Sequence, residues 1–200
     1  MLETEVKFYL KNEDTIRKAI LVLGAHSRGQ AFESNIRFED SNKSLIRRKS
    51  LLRLRQDTKC TLTFKSPPDK DDSQYKVFNE LEVNVSDFDT MQNILESVGF
   101  YPEQIYEKRR ETLLLDNSLF CIDAMPYGNF LEIEGPRTDI RHFAHLLKLD
   151  WEKRILMNYL EIFAYLRKEL QFKFNDVTFK NFESFDFNFS DYAHLFEAGN

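Results

Sequence analysis

Between Leu2 and Leu10, apolar Leu2, Val6 and Phe8 lie on one face and Glu3, Glu5 and Lys7 on the other, a pattern that predicts a strand. Asn12 is placed to cap a helix to about Leu23, with Ile16, Ala19, Ile20 and Leu23 at helical spacing and Gly24 as the stop. Strand-like alternation returns at 31–39, 51–56, 59–66, 75–85, 104–115, 118–125 and 129–135. Turns are read at Asp57-Thr58, Asp116-Asn117 and Pro126-Tyr127-Gly128, the polar segment 66–72 as a loop and 40–50 as a loop or a ragged strand end. Further helices are predicted from Ser86 or Asp87 to about Val98, at 137–148 and at 152–170. The last of these carries Ile155, Leu156, Tyr159, Ile162, Phe163 and Leu166 on one stripe. The segment 174–198 is rich in Phe, and so much aromatic surface predicts packing back onto the body of the protein.

The polar faces of these strands are unusual. They hold few Ser, Gln or Asn residues and separate by sign, strand by strand. One strand offers Arg53 and Arg55, the next strands Lys65, then Glu80 and Glu82, then Lys108 and Arg110, then Asp123, then Glu132 and Glu134. A half-exposed sheet also alternates, with its polar face in water. A closed barrel with apolar residues outward beneath helices, and charges inward, accounts for the sign separation as well. Interior charges are tolerable only when paired with one another, a metal or a ligand. Residues two apart on a strand point the same way, so Glu3 with Glu5 and Glu132 with Glu134 form carboxylate pairs suited to Mg²⁺ or Mn²⁺. Arg53, Arg55, Lys65, Lys108 and Arg110 are suited to phosphate oxygens.

Composition narrows the classes. Hydrophobic residues are 42% and charged residues 30% of the 200 residues, as in a globular protein with a real core. The net charge of −5 argues against a nucleic-acid wrapper but permits a small anionic ligand in a local basic cluster. Cys60 and Cys121 have neither disulfide nor zinc spacing, which points to a reducing cytoplasm. The N-terminal stretch lacks the apolar core of a signal peptide, and no apolar run is long enough to span a bilayer. His142 and His145, one helical turn apart, have no third ligand in view.

Glu3-Thr4-Glu5-Val6-Lys7 resembles the N-terminal E-x-E-x-K signature of the CYTH superfamily, the triphosphate tunnel metalloenzymes. The ordered series after it strengthens the likeness: Arg53-Leu54-Arg55, Lys65, Glu80-Leu81-Glu82, Lys108-Arg109-Arg110, Asp123, and Glu132-Ile133-Glu134-Gly135. The resemblance covers about residues 1–165. It implies an α+β fold, a closed antiparallel barrel of about eight strands with helices packed outside. It implies metal ligation by Glu3, Glu5, Asp123, Glu132 and Glu134, and triphosphate binding by Lys7, Arg53, Arg55, Lys65, Lys108 and Arg110. Glu5, Lys7 and Glu134 are the expected catalytic set, with Glu80 and Glu82 as further tunnel residues. The chain is expected to divide into a tunnel domain, 1–170, and a C-terminal extension, 171–200.

The expected activity is metal-dependent hydrolysis of a nucleoside, thiamine or inorganic triphosphate. The alternatives are a class IV adenylate cyclase and a non-catalytic polyphosphate or nucleotide sensor. A cyclase needs an adenine pocket, for which Phe32, Phe38, Tyr127 and Phe130 are candidate walls. The loop bearing Arg47-Arg48-Lys49 is a candidate lid. The expected partner is a small-molecule triphosphate, without nucleic acid or membrane, on a cytoplasmic monomer or homodimer.

Overall fold

The computed structural model describes residues 1–70 and 72–199. Its first half runs β1 (Leu2–Leu10), α1 (Glu13–Val22), β2 (His26–Asp40), α2 (Ser44–Arg47), β3 (Leu51–Gln56), β4 (Cys60–Ser66), β5 (Lys76–Val85) and α3 (Phe88–Ser97). Its second half runs β6 (Phe100–Leu115), β7 (Ser118–Met125), β8 (Gly128–Glu134), α4 (Arg137–Leu146), β9 (Arg154–Ile155), α5 (Tyr159–Glu169) and α6 (Phe179–Phe182). The strands hydrogen-bond in the order β5-β4-β3-β2-β6-β7-β8-β1, and β1 returns to β5. The result is a closed ring of eight antiparallel strands around a tunnel, as expected.

Strand β1 closes the ring by dividing its length. Leu2–Glu5 lie opposite Asn79–Lys76 of β5, while Glu5–Leu10 lie opposite Glu134–Asn129 of β8. Where β5 ends, the short β9 takes the vacant edge at Lys7 and Phe8. A second vacancy arises on β6, which pairs with β7 only from Arg109 onward. The C-terminal chain fills it. Val177 forms a parallel bridge with Tyr106, its N–H donates to Ile105 O (2.8 Å), and Glu107 N–H donates to its carbonyl (2.9 Å). Asp176 adds a carboxylate acceptor for Ile105 N–H at 2.9 Å. Backbone groups that an open edge would leave to solvent or to another chain are thereby satisfied.

Most apolar sides of the strands face outward beneath helices, while Leu81 and Val83 of β5 stay exposed. Ile20 of α1 and Ile140 and Phe143 of α4 pack with Val6, Phe120 and Ile133. Leu95 of α3 packs with Phe38 and Leu54. The third cluster is aromatic: Phe163 of α5 with Phe130, Phe172, Phe182, Phe189 and Phe196. The Phe-rich segment thus packs on the body of the protein. Helix α1 is further anchored by Arg17, which donates two hydrogen bonds to Glu111 at 2.7 and 2.9 Å.

Two expectations need correction. The helix predicted at 152–170 is broken into a turn of 3₁₀ helix, β9 and α5. A capping box starts α5 at Asn158, whose side chain accepts from Glu161 N–H while Glu161 accepts from Asn158 N–H. The upstream residues are needed to cover β1 instead. The segment 40–50 is not an open loop, because Glu39 and Asp40 organise it around α2. Glu39, buried, accepts from Leu45 N–H (2.9 Å) and Ile46 N–H (2.7 Å), and Asp40 accepts from Ser44 N–H (3.0 Å). Glu39→Ala is expected to accelerate amide hydrogen exchange at Leu45 and Ile46 and to cost about 2 kcal/mol of stability. Unaltered exchange at both amides would show that the carboxylate does not hold the segment.

Candidate functional site in the tunnel

The tunnel encloses a cavity of about 1060 Å³. Every strand of the ring sends alternate side chains into it, so the period-2 polar faces converge on one space. Glu3, Glu5, Arg53, Arg55, Lys65 and Lys108 all line it. Glu80, Glu82, Arg110, Glu132 and Glu134 line it as well. The two remaining predicted residues, Lys7 and Asp123, lie buried in the wall at 1% and 0% exposure.

The charges interlock across strands. Lys65 contacts Glu3 and lies 2.6 Å from Glu80. Lys76 lies 2.5 Å from Glu5, and Lys7 2.8 Å from Glu132. Arg110 joins Asp123, at 2.5 Å through Nε, to Glu132. Lys108 lies 3.2 Å from Asp123 and 3.4 Å from Glu33. Arg53 and Arg55 share Glu82 at 3.7 and 3.5 Å, and each donates to a buried threonine hydroxyl, Thr63 at 3.0 Å and Thr61 at 3.2 Å.

Two acids show how local this balance is. Burial alone would raise Glu33, but Lys108, Arg110, Arg55 and Arg53 around it bring its pKa down to about 2. Glu134 is the opposite case. Burial, then the charges of Glu3 and Glu5, push it up to about 7. It stands directly opposite Glu5 across β1 and β8, and among the described residues it has no salt-bridge partner. Glu3 is likewise raised, by burial and by the Glu5 charge, against the pull of Lys65. Glu5 itself is held below its usual value, because Lys76, Lys7 and Lys65 outweigh burial and the charge of Glu132. The backbone places Glu134 at the rim by ending β8 at Gly135, with φ +154°, where an added Cβ would stand 2.8 Å from Ser118 Oγ.

The expected metal ligands are therefore not equivalent. Asp123 is enclosed by Arg110, Lys108 and the hydroxyl of Tyr159, and Glu132 by Lys7 and Arg110. Glu3 and Glu5, each held by one close lysine, and the unpaired Glu134 are hard oxygen donors that repel one another. That donor set suits a divalent cation, although among the described residues no three acidic or imidazole groups stand converged as a finished metal site.

Several tunnel residues lay outside the expected set. Glu33 and Arg37 continue an inward polar face on β2 with Asn35, a pattern visible in the period-2 spacing. Lys76 shares strand parity with Glu80 and Glu82. Tyr159 was hidden by the helix stripe. Its hydroxyl donates to Asp123 Oδ2 at 2.7 Å, and its ring lies 4.2 Å beneath Lys7 Nζ. None of the four aromatic residues expected to wall an adenine pocket lines the cavity. Phe38 is buried beneath α3, Tyr127 and Phe130 join the outer aromatic cluster, and Phe32 packs outside against Phe179. Tyr106, Ile46, Leu51 and Leu160 line the cavity in their place. Residues 44–50 form a pinned rim rather than a free lid, with Ile46 and Lys49 facing the cavity.

Closed ring, inward alternating charge and a mostly apolar exterior define a charged-tunnel barrel. The CYTH domain family model matches residues 1–161, and the chain belongs to that family. A Methanocaldococcus jannaschii protein described provisionally as an adenylate cyclase is 28% identical over 142 residues, spanning 70% of this chain and 80% of the relative. A solved Pyrococcus horikoshii protein is 28% identical, covering 80% of this chain and 98% of that one with a TM-score of 0.68. A Vibrio parahaemolyticus structure aligns at TM-score 0.74 with 19% identity, covering 82% of this chain and 98% of that one, and shows the shared fold.

The raised pKa of Glu134 has a signed consequence for stability. Its carboxyl binds a proton more tightly in the folded protein than at the ordinary value of 4.5, so its contribution is fully present below about 4.5 and is lost as pH rises through about 7. In metal-free protein, Glu134→Gln is expected to raise Tm at pH 8, by an increment that shrinks through pH 7 and vanishes near pH 4.5. A Tm difference that does not vary with pH would refute the unpaired carboxylate.

Proposed function

We propose that the protein is a divalent-metal-dependent enzyme that hydrolyses a triphosphate within the tunnel. One arrangement supports this above the rest: Arg53, Arg55, Lys65, Lys108 and Arg110 face Glu3, Glu5 and Glu134 across a single enclosed cavity. Burying so many ion pairs seldom stabilises a fold by itself. A site that must hold both a polyanion and a metal needs both signs. CYTH membership supports a triphosphate ligand, and a structural neighbour from Hippeastrum, 19% identical at TM-score 0.54, is described as having a dominant triphosphatase activity.

In this reading Glu3, Glu5 and Glu134 would hold Mg²⁺ or Mn²⁺, which would neutralise phosphate charge and lower the cost of bringing the polyanion beside carboxylates. Arg53, Arg55 and Lys108 exchange carboxylate partners for phosphate oxygens, Arg through two parallel hydrogen bonds and Lys as a point charge. Lys65 and Lys76, released from Glu3 and Glu5, become free to hold the bridging and terminal oxygens. Water attacks the terminal phosphorus, the bridging P–O bond breaks, and a tunnel carboxylate accepts the water's proton. Lys7 and Arg110 act beside it by fixing the Glu132 and Asp123 carboxylates.

Cyclisation of ATP is the second reading, supported by the description of the M. jannaschii relative. Product analysis with Mg²⁺ or Mn²⁺ and ATP, tripolyphosphate or thiamine triphosphate separates the two. Orthophosphate without cyclic nucleotide is expected; cyclic AMP with equimolar pyrophosphate would replace hydrolysis by cyclisation. Metal-dependent binding without product would make the protein a sensor. Glu5→Ala is expected to abolish turnover in folded protein, and Arg53→Ala to weaken triphosphate binding by about tenfold or more, the yield of a charge-assisted hydrogen bond. Full activity in the first variant would remove the metal assignment, and wild-type affinity in the second would remove Arg53 from the site.

A further inference from the structure

Most cations of the tunnel are engaged by carboxylates, but Arg28, Arg37, Lys49 and Lys59 line the cavity with no such partner among the described residues. They form two groups. Arg28 and Lys59 belong to the start of β2 and the β3–β4 turn, at one mouth. Arg37 and Lys49 belong to the far part of β2 and the approach to β3, at the other.

The second group has features that an ordinary solvated rim lacks. Arg37 is directly opposite Arg53 in the β2–β3 register, and like charges in that position repel. The guanidinium of Arg53 is itself undersupplied, with its nearest carboxylate at 3.7 Å and its buried Nε without a hydrogen-bond partner. Lys49 is held at φ +52°, a conformation uncommon for a residue with a side chain. Its N–H donates to Ile46 O at 3.0 Å and the next N–H to Leu45 O at 2.8 Å, on the same turn that Glu39 pins. The fold thus presents Lys49 to the mouth where Arg37 stands. The arginine pair widens the cation row by one cross-strand step onto β2, ~5 Å, beside Arg53.

We propose that Arg37 and Lys49 form a subsite for a fourth phosphate, next to the phosphate that Arg53 holds. The preferred ligand class is a linear tetraphosphate, inorganic or attached to a nucleoside. This deepens the triphosphate reading and rests on it. A bridging phosphate between Arg37 and Arg53 removes their repulsion and supplies the missing acceptor for Arg53, which a neutral head group does not do.

Calorimetry on the full chain without added divalent ion tests this, with tripolyphosphate against tetrapolyphosphate and adenosine 5′-triphosphate against adenosine 5′-tetraphosphate. The wild type is expected to prefer four phosphates by about tenfold. Arg37→Ala and Lys49→Ala should each shrink that ratio by about threefold or more, Arg37→Lys should restore part of it, and Arg28→Ala at the other mouth should retain it. Lys49 is exposed on a connecting segment, so its variant carries the test should Arg37→Ala fail to fold. A preference in only one ligand pair supports the subsite and names its source. Triphosphate binding without a preference overturns the subsite alone, as does an equal loss in Arg28→Ala. Failure to bind any of the four ligands, both without divalent ion and with Mg²⁺ present, overturns the triphosphate reading and the subsite with it.

Discussion

Charge neutrality inside a closed ring is the constraint on which the rest of this structure depends. The ring has no edge through which an inward side chain can reach solvent, so a buried charge is stabilised by a counterion on a neighbouring strand. Lys76 with Glu5 and Lys108 with Glu33 are such pairs, each drawn from strands far apart in the chain. These pairs hold the tunnel open as well as neutral. Apolar side chains in the same positions would collapse it, whereas charged groups of both signs keep polar space that a ligand can enter by substituting for one partner. The site and the scaffold are therefore the same set of side chains, and the apolar residues that stabilise the fold lie on the other side of the sheet, under the helices.

Much of this was legible in the sequence because strands repeat every second residue. Arg53 with Arg55, Glu80 with Glu82 and Glu132 with Glu134 could be placed on common faces without knowing any partner, and all of them line the cavity. Sign separation then distinguished a tunnel from a wet sheet surface. Register was not legible. Lys76 meets Glu5 because β1 crosses from β8 to β5 within its own length, and no local pattern encodes that. The start of β2 was missed for a related reason: residues 26–30 are mostly exposed, interrupted by a bulge, and defined by pairing with β6 rather than by alternation. The stripe at 152–170 misled because apolar spacing fits one helix as well as a strand, a turn and a shorter helix. The capping pair Asn158 and Glu161 was the local sign of the break.

Tyr159 links the two halves of the molecule. It belongs to the first turn of α5, yet it supports Asp123 and lies beneath Lys7. The other face of α5 is held by Phe172, Phe182 and Phe196, and the chain carrying them is tied to β6 at Val177 and to Arg154 by a hydrogen bond from Ala198 N–H at 2.8 Å. The aromatic segment thereby clasps α5 against the tunnel wall. Packing far from the charged groups sets the position of a ring that touches two of them indirectly and directly.

The way β1 closes the ring also has a consequence for biosynthesis. Among the described residues β1 pairs only with β5, β8 and β9, all of which follow it in the chain, β9 ending at Ile155. Until β8 has been made Glu5 has a ladder partner on one edge only, and until β9 has been made Lys7 does not have both of its own. Such distant pairings are slow to form and leave strand edges exposed while they wait. Charged side chains on a waiting strand oppose its pairing with another chain. The same side chains that equip the tunnel for chemistry therefore protect its first strand from aggregation before the tunnel exists.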